Sequence, residues 1–92
     1  SCIVPMVSHC DHTEHDVQVI VTEKGVADLR GLSPKERAKA IIENCTYGEY
    51  KEMLKDYYKN SLESCKYKHT PHNLEEALSW HVRYMKTGSM RI

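Results

Sequence analysis

The sequence has no long apolar run. The longest in its amino-terminal half, Val17 to Val21, is interrupted by Gln18, whereas crossing a bilayer as a helix takes roughly 20 apolar residues, so a membrane span is excluded and a soluble protein expected. Neither sign of charge is in excess. Lys plus Arg and Asp plus Glu both number 13, which leaves no long-range field to draw in nucleic acid or an anionic membrane surface. Internal repeats and low-complexity stretches are absent, which excludes a solenoid or a disordered tract. The chain opens Ser1-Cys2-Ile3-Val4-Pro5 with no Met and no basic or apolar leader, so no signal peptide is visible and the true amino terminus is expected elsewhere. A compact cysteine framework is also lacking. Cys2, Cys10, Cys45 and Cys65 are widely and irregularly spaced, as suits reduced thiols in a reducing compartment better than disulfides.

What is present amounts to one domain at most. A chain of 92 residues hides only roughly 60–65% of the surface its unfolded form exposes, so its core is thin. Cys2 to Val7 is short and apolar and reads as a candidate strand, with Pro5 favouring an edge or a bulge. Val17 to Thr22 is β-branched at nearly every position and closes on a turn signal, Lys24-Gly25, the pattern of a strand buried in a sheet. Val26 to Arg30 follows as a second short strand or an irregular ledge.

Three amphipathic helices come next. Ser33, Pro34 and Glu36 spell an N-cap, a first-turn proline and a capping box, ahead of Ala38, Ile41, Ile42 and Cys45 at helical spacing. A second helix is expected from about Gly48 to Ser64, with Tyr50, Met53, Leu54, Tyr57 and Tyr58 along one side. After a polar hinge from Lys66 to His72, Asn73 and Glu76 repeat the capping arrangement. Leu74, Ala77, Leu78, His81 and Met85 then carry an apolar stripe toward Gly88. The expected fold class is α/β: one or two strands from the edge of a larger sheet, then three helices. Two strands make only a marginal sheet in water, so Val17 to Thr22 is expected to join further strands outside these residues, and a bare edge would favour self-association.

Several residue groups invite chemistry. His9, Cys10, Asp11, His12, Thr13, Glu14, His15 and Asp16 pack three His, one Cys and three acids into eight positions, a ligand set that zinc accepts. A period of three fits neither a helix face nor a strand face, however, and a polar connection that hydrogen-bonds itself is the alternative. Cys10 beside His9 and His12 offers one reading as an activated thiol, against the default of an inert one. Glu23 leaves the end of a strand, where open sheets place catalytic groups, and where charges also simply meet solvent. Tyr47, Tyr50, Tyr57, Tyr58 and Tyr67 alternate with Lys51, Lys55 and Lys59, but helical spacing puts most of the tyrosines on the packing stripe and Glu49, Glu52 and Asp56 cancel the lysines. Trp80 and His81 read as docking residues.

Val21 to Ala38 resembles the VTE-x-GVADLRG-x-S-x-x-ERA signature of the acetyl-CoA hydrolase/transferase family. Ile3 to His9 and Asp11 to Val17 strengthen the likeness, as do His69-Thr70-Pro71-His72 and Glu75 to His81. The pattern is similar to the succinyl-CoA:acetate CoA-transferase branch, and residues 1–92 correspond to the C-terminal part of the family's C-terminal domain. The resemblance implies an enzyme that moves coenzyme A between a short acyl-CoA, such as succinyl-CoA or acetyl-CoA, and a carboxylate such as acetate through a glutamyl-CoA thioester. Coenzyme A would be a substrate, with no bound cofactor and no metal. The family's nucleophilic glutamate and glycine-rich segments lie upstream of Ile3-Val4-Pro5. No catalytic residue is therefore assigned here, Glu23 included, and the residues 1–92 are expected to be inactive alone. Their expected partners are the remainder of the same chain, acyl-CoA and small carboxylates, with a homo-oligomeric parent in the cytoplasm or alternatively in a mitochondrial or other organelle matrix. Acetyl-CoA hydrolysis and a His/Cys metal-binding interaction module are the alternatives. One departure stands out: Thr46-Tyr47-Gly48-Glu49 replaces the family's Ala-His-Pro-Asp, so the turn between the first two helices loses its proline.

Overall fold

A computed structural model describes residues 1–64 and 72–92. Cys65, Tyr67 and most of the expected hinge lie outside the described residues. Strands β1 (Val19–Thr22) and β2 (Gly25–Asp28) form an antiparallel hairpin, followed by helices α1 (Pro34–Cys45), α2 (Gly48–Ser64) and α3 (Ser79–Thr87). The α/β class and the order of strands before helices are as the sequence leads one to expect. Among the described residues no helix is long and apolar enough to cross a membrane.

The hairpin turns on Glu23 and Lys24, with Thr22 opposite Gly25, Val21 opposite Val26, Ile20 opposite Ala27 and Val19 opposite Asp28. A period of two sends alternate side chains to opposite faces. Ile20, Ala27 and, beyond the strand, Leu29 pack with Cys45 of α1 into a buried cluster. Gly25 is needed where it stands, because a Cβ there would collide with the backbone carbonyl oxygen of Asn44.

The capping box that opens α1 is formed in both directions. Glu36 N donates to Ser33 Oγ (3.3 Å) and Ser33 N donates to Glu36 Oε1 (3.2 Å), satisfying two of the donors a helix start leaves unpaired. The missing turn proline is replaced by a different solution: Thr46 is extended, its hydroxyl donates to the Ile42 carbonyl, and Gly48 takes φ +63°, a backbone region glycine enters without strain. α2 then packs on α1. Ile42, Leu54 and Trp80 form the second buried cluster, with half-buried Ile3, Val4, Tyr50, Met53, Tyr58 and Met90 against it.

Two expectations are corrected. Cys2 to Val7 is not a strand: it runs as irregular chain over the second cluster, where Ile3 and Val4 are buried in part. Pro5 carries no ladder donor, and among the described residues β1 and β2 pair only with each other, so this segment gains more by laying its side chains on α2 and α3. The third helix does not begin at Asn73. Residues 74–78 are turns, α3 starts at Ser79 with Leu78 as an N-cap that makes no side-chain bond, and Asn73 N donates instead to Ser61 Oγ (3.4 Å). The apolar stripe shifts accordingly. Leu74 is 70% exposed and Met85 77%, while Ala77 and Trp80 are buried, because the turns break the helical phase on which the expected stripe depends.

Candidate functional site

The signature segment builds a compact unit from the hairpin and α1. Thr22 Oγ1 donates to the Cys45 carbonyl (2.9 Å), and the buried Cys45 thiol lies 3.6 Å and 3.7 Å from the carbonyl oxygens of Ile20 and Gly25. The end of α1 is thereby tied to the hairpin turn. At its other end, Arg37 donates from Nε to the Leu32 carbonyl (3.1 Å) and from Nη1 to those of Glu14 (2.6 Å) and Val17 (2.8 Å). A guanidinium offers donors in a rigid fork, and here they hold the chain entering β1 against the start of α1.

Asp28 and Arg30 stand two residues apart. Arg30 donates from Nε to Asp28 Oδ1 (2.9 Å) and from Nη2 to Oδ2 (2.7 Å), a two-pronged pair reinforced by the Arg30 backbone N–H (3.1 Å). Hydrogen bonding from the Arg30 side chain, then from its backbone, lowers the Asp28 pKa to about 2. Glu36 is likewise lowered, by its bonds to Ser33. Both pairs are exposed, so solvent screens them.

Between the amino-terminal arm, α1 and α2 lies a groove of about 380 Å³, lined in the main by apolar side chains that include Val4, Pro5, Ile41, Leu54 and Leu62. His72 and Ser61 add polar groups to its wall. His72 Nδ1 is 2.8 Å from the Tyr57 hydroxyl, and burial lowers the imidazole pKa. The groove can receive an apolar segment. Its arginine, Arg37, is occupied by three carbonyls.

The histidine-rich segment is exposed throughout. His9 Nε2 contacts Asp11 Oδ1 (2.9 Å), the Cys10 thiol donates to the His12 carbonyl (3.1 Å), and His15 lies 3.5 Å from Glu14. Among the described residues no three His, Cys, Asp or Glu side chains converge as metal ligands would. The segment therefore has the geometry of a polar connection bonded to itself. Cys2, Cys10 and Cys45 are free thiols. Glu23 sits exposed in the hairpin turn, beside Lys24, whose ammonium lies 3.8 Å from the centre of the Tyr47 ring. The other described tyrosines of the stripe are taken up in packing: Tyr50 stacks at 5.6 Å on Trp80, and the Tyr58 hydroxyl donates to the Lys35 carbonyl (3.1 Å). His81 bonds the Met6 carbonyl (2.8 Å), tying α3 to the amino-terminal arm.

Sequence reasoning missed the Asp28–Arg30 fork and the Arg37 clamp. The first had a signal, since Val26 to Arg30 reads as extended and residues two apart in an extended chain share a face; the second had none, because carbonyl acceptors leave no mark on residue type.

The sequence profile of the acetyl-CoA hydrolase/transferase C-terminal domain matches residues 1–58. A succinyl-CoA:acetate CoA-transferase from Clostridium kluyveri is 67% identical over 99% of the chain. Proteins named acetyl-CoA hydrolase from Neurospora crassa and Candida albicans are 50% and 48% identical over 98% and 100% of it. The chain spans only 17% of the first relative's length and 18% of the other two. With the profile covering the hairpin, all of α1 and much of α2, and the likeness running through α3, the chain belongs to the acetyl-CoA hydrolase/transferase family.

Proposed function

We propose that residues 1–92 are the C-terminal part of an enzyme that transfers coenzyme A from a short acyl-CoA, succinyl-CoA or acetyl-CoA, to acetate or a related carboxylate. The observation that carries this reading is the 67% identity to a succinyl-CoA:acetate CoA-transferase along nearly the whole chain, against 48% and 50% for two relatives named as hydrolases. In the proposed reaction a glutamate outside these residues attacks the thioester carbonyl and expels the CoA thiolate, leaving an acyl-glutamyl anhydride. The thiolate then attacks the glutamyl carbonyl and releases the first carboxylate. Acetate then attacks the glutamyl carbonyl and expels the thiolate, and the thiolate attacks the acetyl carbonyl of the resulting anhydride, forming acetyl-CoA and freeing the glutamate carboxylate. Dividing the exchange in this way replaces one hard step by several easier ones.

The present residues supply framework to that enzyme. This role is supported by the solvent-exposed position of Glu23 in a two-residue turn and by the use of Arg37 as a backbone clamp. The hydrolase reading differs in one step, with water in place of acetate. The test is to express the full-length parent and measure loss of succinyl-CoA with and without acetate, with the 92-residue chain assayed alongside. Acetate-dependent acetyl-CoA formation by the parent alone supports the proposal. Equal thioester loss without acetate means a hydrolase, and turnover by residues 1–92 means that their own side chains carry the chemistry.

A further inference from the structure

One side of the hairpin is spent and the other is bare. Ile20, Thr22, Gly25 and Ala27 meet α1, whereas Val19, Val21 and Val26, on the opposite face, are 46%, 70% and 57% exposed, beside Asp28, which pairs with Val19 and is held by Arg30. The backbone repeats the division. In a two-residue hairpin the closing pair, Thr22 with Gly25, exchanges hydrogen bonds, and alternate pairs follow, so Ile20 bonds Ala27 and Leu29 N reaches Gln18 O (2.7 Å). Val19 and Val21 belong to the intervening pairs, whose N–H and C=O groups point away from the partner strand. Among the described residues nothing outside the hairpin bonds them.

The two edges are unequal. The β2 edge carries the forked ion pair of Asp28 and Arg30, and charged side chains discourage strand addition. The β1 edge carries two β-branched apolar residues and no charge between Gln18 and Thr22. We propose that in the whole enzyme a third strand, from the part of the polypeptide outside these residues, pairs along β1 through Val19 and Val21, with apolar side chains of the same remainder covering Val19, Val21 and Val26. This rests on the reading of residues 1–92 as part of a longer chain, which the 17–18% coverage of relatives supports. The occupant is a strand because two in-plane donor and acceptor pairs at strand spacing match the backbone of an added strand, which also lays its side chains beside the valines.

Amide hydrogen exchange of the full-length enzyme, resolved to single residues, tests this at two protein concentrations about a hundredfold apart. The expected result is exchange at Val19 and Val21 at least roughly a hundredfold slower than in an unstructured chain, and equal at both concentrations. Free exchange at these two amides, beside protected Ile20 and Thr22, overturns the proposal. Protection lost on dilution also overturns it, since the edge would then be covered by a second copy. The same preparation is assayed for CoA transfer. An inactive enzyme with both amides protected leaves the strand pairing standing and removes the functional reading; an active enzyme with both amides unprotected does the reverse.

Discussion

The two buried clusters are assembled from sequence at very different separations. Ala27, Leu29 and Cys45, with Val17, Ile20, Ala40 and Ile41 around them, come from one continuous stretch. Ile42, Leu54 and Trp80 instead gather Ile3 and Val4 from one end of the chain and Met90 from the other. The first cluster is closed by short connections and specific backbone bonds, such as Thr22 to Cys45 and Arg37 to Leu32. The second depends on closing long loops, at a greater entropic cost, and is held by large side chains. The difference teaches that the family signature describes a self-contained hairpin and helix, on which the remaining helices and the amino-terminal arm are laid.

Removing Trp80 is the most severe way to test that division. Trp80→Ala should cost roughly 3–5 kcal/mol, as aromatic truncation in a core does, and should release Tyr50 and the arm around Ile3, measured by denaturant unfolding and amide exchange. The hairpin amides should keep their protection; equal loss in both regions would mean the two clusters unfold as one. Gly25→Ala attacks the other region. The Cβ has no room against the Asn44 carbonyl, so a cost of roughly 1–3 kcal/mol is expected, with Ile20 and Ala27 amides opening before those of α2. Ser33→Ala removes one arm of the capping box and should cost about 1 kcal/mol; Ser33→Asp should restore most of it.

The next prediction is one of pH. Burial lowers the His72 pKa from its ordinary 6.5, so the fold holds the imidazole neutral while the unfolded chain takes up a proton below that value. Its contribution is present above about pH 6.5 and is lost as pH falls through the lower folded value. Unfolding followed from about pH 7.5 to about pH 5.5 should show that slope, and His72→Phe should flatten it. A slope unchanged in the variant would assign it to other groups. Smallest is the Asp28 carboxylate, whose pKa is lowered from 3.8 to about 2. Its contribution is present above 3.8 and fades toward about pH 2. Titration by NMR should place its midpoint there, and Arg30→Gln should return it to the ordinary range.

The same division explains what the sequence made legible. α1 was readable because its signals are local: Ser33, Pro34 and Glu36 act on each other within one turn. α2 was readable from the spacing of Tyr50, Met53, Leu54, Tyr57 and Tyr58. The start of α3 was not, because Asn73 and Glu76 have the composition of a cap while Asn73 N is engaged by Ser61 of another element. The arm from Cys2 to Val7 departs from the expected strand for a similar reason, since its apolar content says nothing of whether a neighbouring strand is within reach. At the candidate site, the histidine-rich segment displayed ligand chemistry in its letters that its geometry does not use.

The two ties on α1 give that helix a further consequence. Arg37 fastens its beginning to the chain entering β1, and Cys45 fastens its end to the hairpin turn. Eight residues of helix at about 1.5 Å each set a span of about 12 Å between the two fixings. A single residue inserted or deleted between them would change that length only slightly, but would rotate one end by about 100° relative to the other, and one fastening would have to be given up. The helix is thus a gauge block. Its length and its phase are both specified, and substitutions along its exposed side are free to accumulate where changes in residue number are not.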